Sequence, residues 1–148
     1  MWWRGEKTDE LAQSLRHWLT PVCATGLTST QTTELITAHT LEWAHSKRWR
    51  TSTEVPALVE RTISGRVYSG RVDVVCERSW WRPPIAIEID RANKSWSVDK
   101  LVAEAEAGHV ALWVRWRGET VIDLPPTVGL VDIRATIANP RSTRRRVR

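Results

Sequence analysis

The stretch Ile85-Ala-Ile-Glu-Ile-Asp90 constrains this chain more than any other, because side chains alternate faces along a strand and here the alternation is strict. Ile85, Ile87 and Ile89 share one face, while Ala86, Glu88 and Asp90 share the other. The residues that follow are just as clearly patterned. Ser97 reads as the N-cap of a helix with Asp99 in its first turn; Val98, Leu101, Val102 and Ala105 form one apolar stripe, and Gly108 supplies the stop. His109 to Trp116 then reads as a strand with Val110, Leu112, Val114 and Trp116 on one side. Strand, helix and strand within about 30 residues make a crossover unit, so these two strands are expected to run parallel.

Upstream, Thr8 is placed to cap a helix carrying Leu11, Leu15, Trp18 and Leu19, which Pro21 ends. A second helix is expected from Ser29 or Thr30 to about Lys47, with Leu35, Ile36, Leu41 and Trp43. Leu58 to Ile63 reads as a short strand before Ser64-Gly65, and Arg66 to Cys76 as its partner, with a bend at Ser69-Gly70. A loop, Trp80-Trp81-Arg82, leads through Pro83-Pro84 into the Ile85 strand. Val121 to Leu124 and Leu130 to Ile133 are weaker strand candidates around Pro125-Pro126. At 148 residues the chain suits a single α/β domain over residues 1–140, with a basic tail at 141–148.

No apolar run approaches the roughly 20 residues of a membrane helix, and the charged N-terminus lacks the apolar stretch of a signal peptide. A cytoplasmic protein without membrane contact is expected. Cys23 and Cys76 lie far apart and are read as reduced. His17, His39, His45 and His109 show no zinc-ligand spacing with them. Of 22 cations 18 are arginine, and five of these, Arg141, Arg144, Arg145, Arg146 and Arg148, sit in the tail. The net charge of +5 is therefore the tail's, and the remaining body is formally neutral. That tail reads either as a nucleic-acid contact, arginine being suited to phosphate, or as a disordered, solvated end. The ten tryptophans, in a chain without phenylalanine, divide between core filling and surfaces able to stack on bases.

In the strand before Ile85, Val72 and Val74 are expected on one side, and Arg71, Asp73 and Val75 on the other. If the two strands are neighbours in suitable register, Asp73 joins Glu88 and Asp90, which stand about 7 Å apart along their own strand. Gathered carboxylates repel unless a hard cation offsets them, and such an ion polarises a phosphoryl oxygen and activates water. The alternative is a solvated face on which Glu88 and Asp90 balance Arg71 or Arg91.

Gly70-Arg-Val-Asp73, then Ile87-Glu88-Ile-Asp90, then a helix and an apolar strand, resembles the PD-(D/E)XK nuclease superfamily over about residues 54–117. The resemblance implies a restriction-endonuclease-like α/β/α core with a mixed sheet, preceded here by two helices. It implies a metal-dependent endonuclease acting on DNA. Asp73, Glu88 and Asp90 would hold Mg2+ or Mn2+, the Ile89 carbonyl being a further candidate ligand. The family places lysine two residues after the second acid, where this chain has Asp90. Lys94, just beyond the strand, and Lys100, in the helix, are the candidates to replace it. Glu42 or Glu60 would supply the early glutamate that often completes such sites. Arg71, Trp80, Trp81, Arg82, Lys100, Arg144, Arg145 and Arg146 are the expected nucleic-acid contacts, and a homodimer would suit cutting of both strands. The missing lysine and neutral body also admit a catalytically degenerate relative that binds DNA or serves as an accessory module. A protein-interaction module anchored by exposed tryptophans is the third alternative.

Overall fold

The structure is a computed structural model that describes residues 2–118, 122–134 and 137. Two helices, α1 (Trp2–Leu19) and α2 (Ser29–Ser46), precede the antiparallel strands β1 (Arg50–Ile63) and β2 (Arg66–Glu77). Strand β3 (Ile85–Asp90), helix α3 (Ser95–Glu106), β4 (Val110–Arg115) and β5 (Val128–Asp132) follow. The five strands form one mixed sheet in the order β1-β2-β3-β4-β5. β3 and β4 are parallel, as the crossover pattern requires, with Glu88 opposite Trp113 and Asp90 opposite Arg115. Among the described residues no helix is long and apolar enough to cross a membrane.

Both faces of the sheet are covered. Ile85, Ile87, Ile89, Val110, Leu112, Val114 and Trp116 pack against Leu15 and Leu19 of α1 and Ile36 and Trp43 of α2. On the opposite face Ala86, Ala111 and Trp113 pack under Val98 and Leu101 of α3. The isoleucine alternation thus places the acids on the α3 side. Helix α1 comes very close to the sheet at Gly129, where an added Cβ would stand 2.9 Å from Leu112 Cδ2 and 3.0 Å from Thr8 Cγ2.

Several local expectations change. Thr8 does not cap α1: it is buried inside the helix, which begins at Trp2, and its small side chain lies over Gly129. Helix α3 begins at Ser95 after Lys94, so Ser97 is a buried first-turn residue rather than the cap. By contrast, Thr28 and Gln31 form a reciprocal capping box at the start of α2, near the expected position. β1 is much longer than Leu58 to Ile63, because Arg50–Pro56 pairs with Arg71–Glu77 before the register shifts between Pro56 and Glu60. The hairpin closes at Ser64 and Gly65, both at positive φ, the backbone that tight two-residue turns demand. Residues 122–124 form no strand, and Val121 and the tail residues Arg144, Arg145 and Arg146 lie outside the described residues.

Candidate active site

Where β2 meets β3, regular pairing covers only Val74 with Ile87, Val75 with Ala86 and Cys76 with Ile85. Beyond Val74 the main-chain ladder is replaced by side chains. The Asp73 N–H donates to Glu88 Oε2 at 2.9 Å, and the Ile89 N–H donates to Asp73 Oδ2 at 2.8 Å. Each carboxylate is thus fixed by the backbone of the other's strand. The same departure changes the facing of β2: Val74 joins the α1–α2 core, but Val72 joins the α3 core, so the two valines do not share a side as strict alternation implies.

Helix α3 delivers the counter-charge. Lys100 Nζ lies 2.7 Å from Glu88 Oε1 and donates to the Arg71 carbonyl at 2.8 Å. Trp96 covers this lysine: a Cβ on Gly70 would come within 2.8 Å of Trp96 Cζ2 and 3.0 Å of Lys100 Cδ. Gly70 therefore lets the indole and the lysine stem lie directly on β2. Lys94, by contrast, is exposed and reaches Asp90 Oδ1 at 3.6 Å.

Of the three acids, Asp73 and Glu88 are in direct reciprocal contact, while Asp90 is turned along the sheet. Asp90 Oδ2 accepts a 2.8 Å hydrogen bond from the buried Trp113 indole. Among the described residues, no group of three or more His, Cys, Asp or Glu side chains is arranged to hold a metal ion. Asp73 and Glu88 remain as a pair of carboxylates, each bonded to the backbone of the other's strand.

Burial and neighbouring carboxylate charges raise both acids. Glu88 is 2% exposed, and burial, then the Asp73 charge, push its pKa up to about 7 against the pull of Lys100 and the Asp73 N–H. Asp73 is also raised, chiefly by burial, with the Asp90 and Glu54 charges adding to it and the Ile89 N–H and Lys100 opposing. Lys100 balances the charge of one carboxylate. Asp73 Oδ2 is taken by the Ile89 N–H. Both Glu88 oxygens are engaged by protein donors, the Asp73 N–H and Lys100 Nζ.

Neither early glutamate is brought in. Glu42 lies on α2, beneath the other face of the sheet, and pairs with His39 at 3.7 Å; Glu60 accepts from Ser69 on the hairpin arm. The acid beside Asp73 is instead Glu54, which falls between the pairs Thr53–Val74 and Val55–Val72. Glu54 has φ +53°, a left-handed conformation costing a side chain about 1–3 kcal/mol, and its carbonyl accepts from Arg71 Nη1 at 3.0 Å. A strand taken to begin at Leu58 hides this residue. Trp96 and Trp113 were equally hidden, because an indole over a lysine or on a carboxylate leaves no mark in spacing.

Trp80, Trp81 and Arg82 are not beside the acids. Their loop joins the end of β2 to the start of β3, whereas Glu88 and Asp90 lie towards the other end of β3. The chain matches no protein-family model, no curated protein and no solved structure.

Proposed function

We propose that the chain is a metal-dependent endonuclease acting on DNA, with a restriction-endonuclease-like core and Lys100 in place of the lysine that the PD-(D/E)XK pattern puts at Asp90. The observation that carries this reading is the Asp73–Glu88–Lys100 cluster: two carboxylates cross-bonded between neighbouring strands, with a helix lysine 2.7 Å from one of them. Asp73 and Glu88 would hold magnesium or manganese. Such an ion, when bound, polarises the phosphoryl group and lowers the pKa of an attacking water. The protein's own part is placement. An ammonium has three N–H donors; Glu88 and the Arg71 carbonyl take two, leaving one for an oxygen of the scissile phosphate. Asp90, held by Trp113, fixes the end of β3 and draws Lys94 aside.

The test is nicking of supercoiled DNA by the purified chain with Mg2+ or Mn2+. Activity that needs the metal and disappears in Asp73→Asn supports the reading; its absence, or an unaffected Asp73→Asn, refutes it. A second reading, a non-catalytic relative of the same fold, is favoured by the near-complete burial of Glu88, both of whose oxygens already accept from protein donors. Calorimetric titration separates the two: metal binding that depends on Asp73 and Glu88 belongs to the enzyme.

A further inference from the structure

We propose that the β2–β3 loop is a seat for single-stranded nucleic acid, in which Arg78 and Arg82 take a backbone phosphate while Trp80 and Trp81 stack on adjoining bases. The loop turns sharply, with the Arg82 N–H donating to the Ser79 carbonyl at 2.8 Å. That turn pushes two neighbouring tryptophans outwards, Trp80 at 96% and Trp81 at 59% exposure. Elsewhere Trp43, Trp113 and Trp116 are buried, so the fold has interior uses for indoles that these two do not serve.

Behind the tryptophans lie two guanidinium groups with unmet demand. Arg78 Nε donates to the Pro83 carbonyl at 2.9 Å, and its guanidinium stands 5.5 Å from the Trp49 ring centroid. The Arg82 guanidinium lies 4.5 Å from the Trp81 centroid. Arg78 Nη2 and Arg82 Nε are shut away from solvent, yet neither has a hydrogen-bond acceptor. A buried donor without a partner is costly, more so when charged. The two cations also act on each other: burial, then the Arg82 charge, lowers the pKa of Arg78. The acid nearest in sequence, Glu77, pairs with Arg50 at 3.6 Å. A phosphate matches the guanidinium fork and would offset the charge of two neighbouring guanidinium groups. Lys7, 6.0 Å from the Trp81 centroid, adds positive charge at the rim. Aromatic rings beside a phosphate-binding pair suit unpaired bases, because a duplex keeps its base faces stacked inside.

This seat lies at the end of β3 away from Glu88, about 10 Å or more along the strand, so it does not depend on the reading of the acids. Anisotropy of labelled oligo(dT) and of an abasic strand of equal length, with the full chain in EDTA, tests it without metal or cleavage. Trp80→Ala and Trp81→Ala should each weaken oligo(dT) binding about tenfold and leave the abasic strand unchanged. Arg82→Ala should weaken both probes and reduce the salt slope by about 0.7, one phosphate's worth for a single strand. The tail is common to all variants, so the differences report the loop, and Asp73→Asn should bind as the wild type does. Equal wild-type affinity for the two probes, or tryptophan variants with undiminished oligo(dT) binding, would overturn the proposal. Loss of nicking in Asp73→Asn with intact binding in EDTA tells the two sites apart.

Discussion

The two faces of the sheet are built from the same strands but solve different problems. The face under α1 and α2 is apolar, and among the described residues its buried polar side chains are threonines: Thr8, Thr32 and Thr40. Two of them, Thr32 and Thr40, satisfy their hydroxyls locally by donating to the carbonyl four residues back. The α3 side holds the buried charges Glu88, Asp90, Lys100, Glu104 and Arg115, each drawn to partners on other elements. Where two helices cover the sheet the strand residues only fill space. Where one helix covers it, charge is retained, and each buried charge is held by a partner rather than left bare.

Neighbours on β3 offer the sharpest way to break this contrast. Glu88→Gln should abolish metal-dependent nicking, because the replacement keeps the shape but offers no anionic ligand. Ile87→Ala, one residue away on the opposite face, should lower unfolding free energy by about 2–5 kcal/mol in a urea titration and leave nicking intact below its melting temperature. If both variants lose stability and activity in the same proportion, the two faces are not separate in function.

Lys100→Met comes next. It should cut the nicking rate by about 10²–10³-fold, the usual loss for a preorganised donor. It should also destabilise the fold, since removing one partner from a buried pair costs about 3–5 kcal/mol, less whatever Glu88 recovers by taking a proton. Adding Glu88→Gln to Lys100→Met should restore part of the stability and none of the activity. Chemical denaturation of the single and double variants checks this.

The division between the faces was largely legible in the sequence. Strict alternation in Ile85–Asp90 sent isoleucines and acids opposite ways, and the following helix and strand required parallel pairing. Alternation failed at Val72, because it assumes a continuous ladder and the Asp73 and Glu88 carboxylates interrupt this one. That Lys100 rather than Lys94 reaches Glu88 was not legible either. It depends on where α3 starts and on how closely Trp96 settles over Gly70, and both are tertiary facts. The same holds for Glu54, which is a site neighbour only because β1 extends far beyond its apolar stretch.

The titration of Glu88 gives a smaller, signed effect. Its folded pKa of about 7 exceeds the ordinary 4.5, so between these values the folded state holds a proton that the unfolded state has released. Metal-free stability contributed by this group is therefore complete below about pH 4.5 and is lost as pH rises through 7. The raised pKa of Asp73 acts in the same sense. In EDTA, the melting temperature of the wild type relative to Glu88→Gln should fall from pH 5 to pH 7.5. A difference that rises over this range would mean that Lys100 outweighs burial.

Lys94→Ala should have the smallest effect, and for that reason it decides which lysine belongs to the site. Lys94 is exposed and 3.6 Å from Asp90 Oδ1, a surface-type pair worth about 0–1 kcal/mol. Asp90 keeps its Trp113 hydrogen bond without it. Stability should fall by less than about 1 kcal/mol, and nicking should stay within severalfold of the wild type. A loss comparable to that of Lys100→Met would move the charge that serves the phosphate from the helix to the end of β3. The buried Lys100–Glu88 pair would then be a structural element, and the α3 face would resemble its apolar counterpart more closely than its geometry implies.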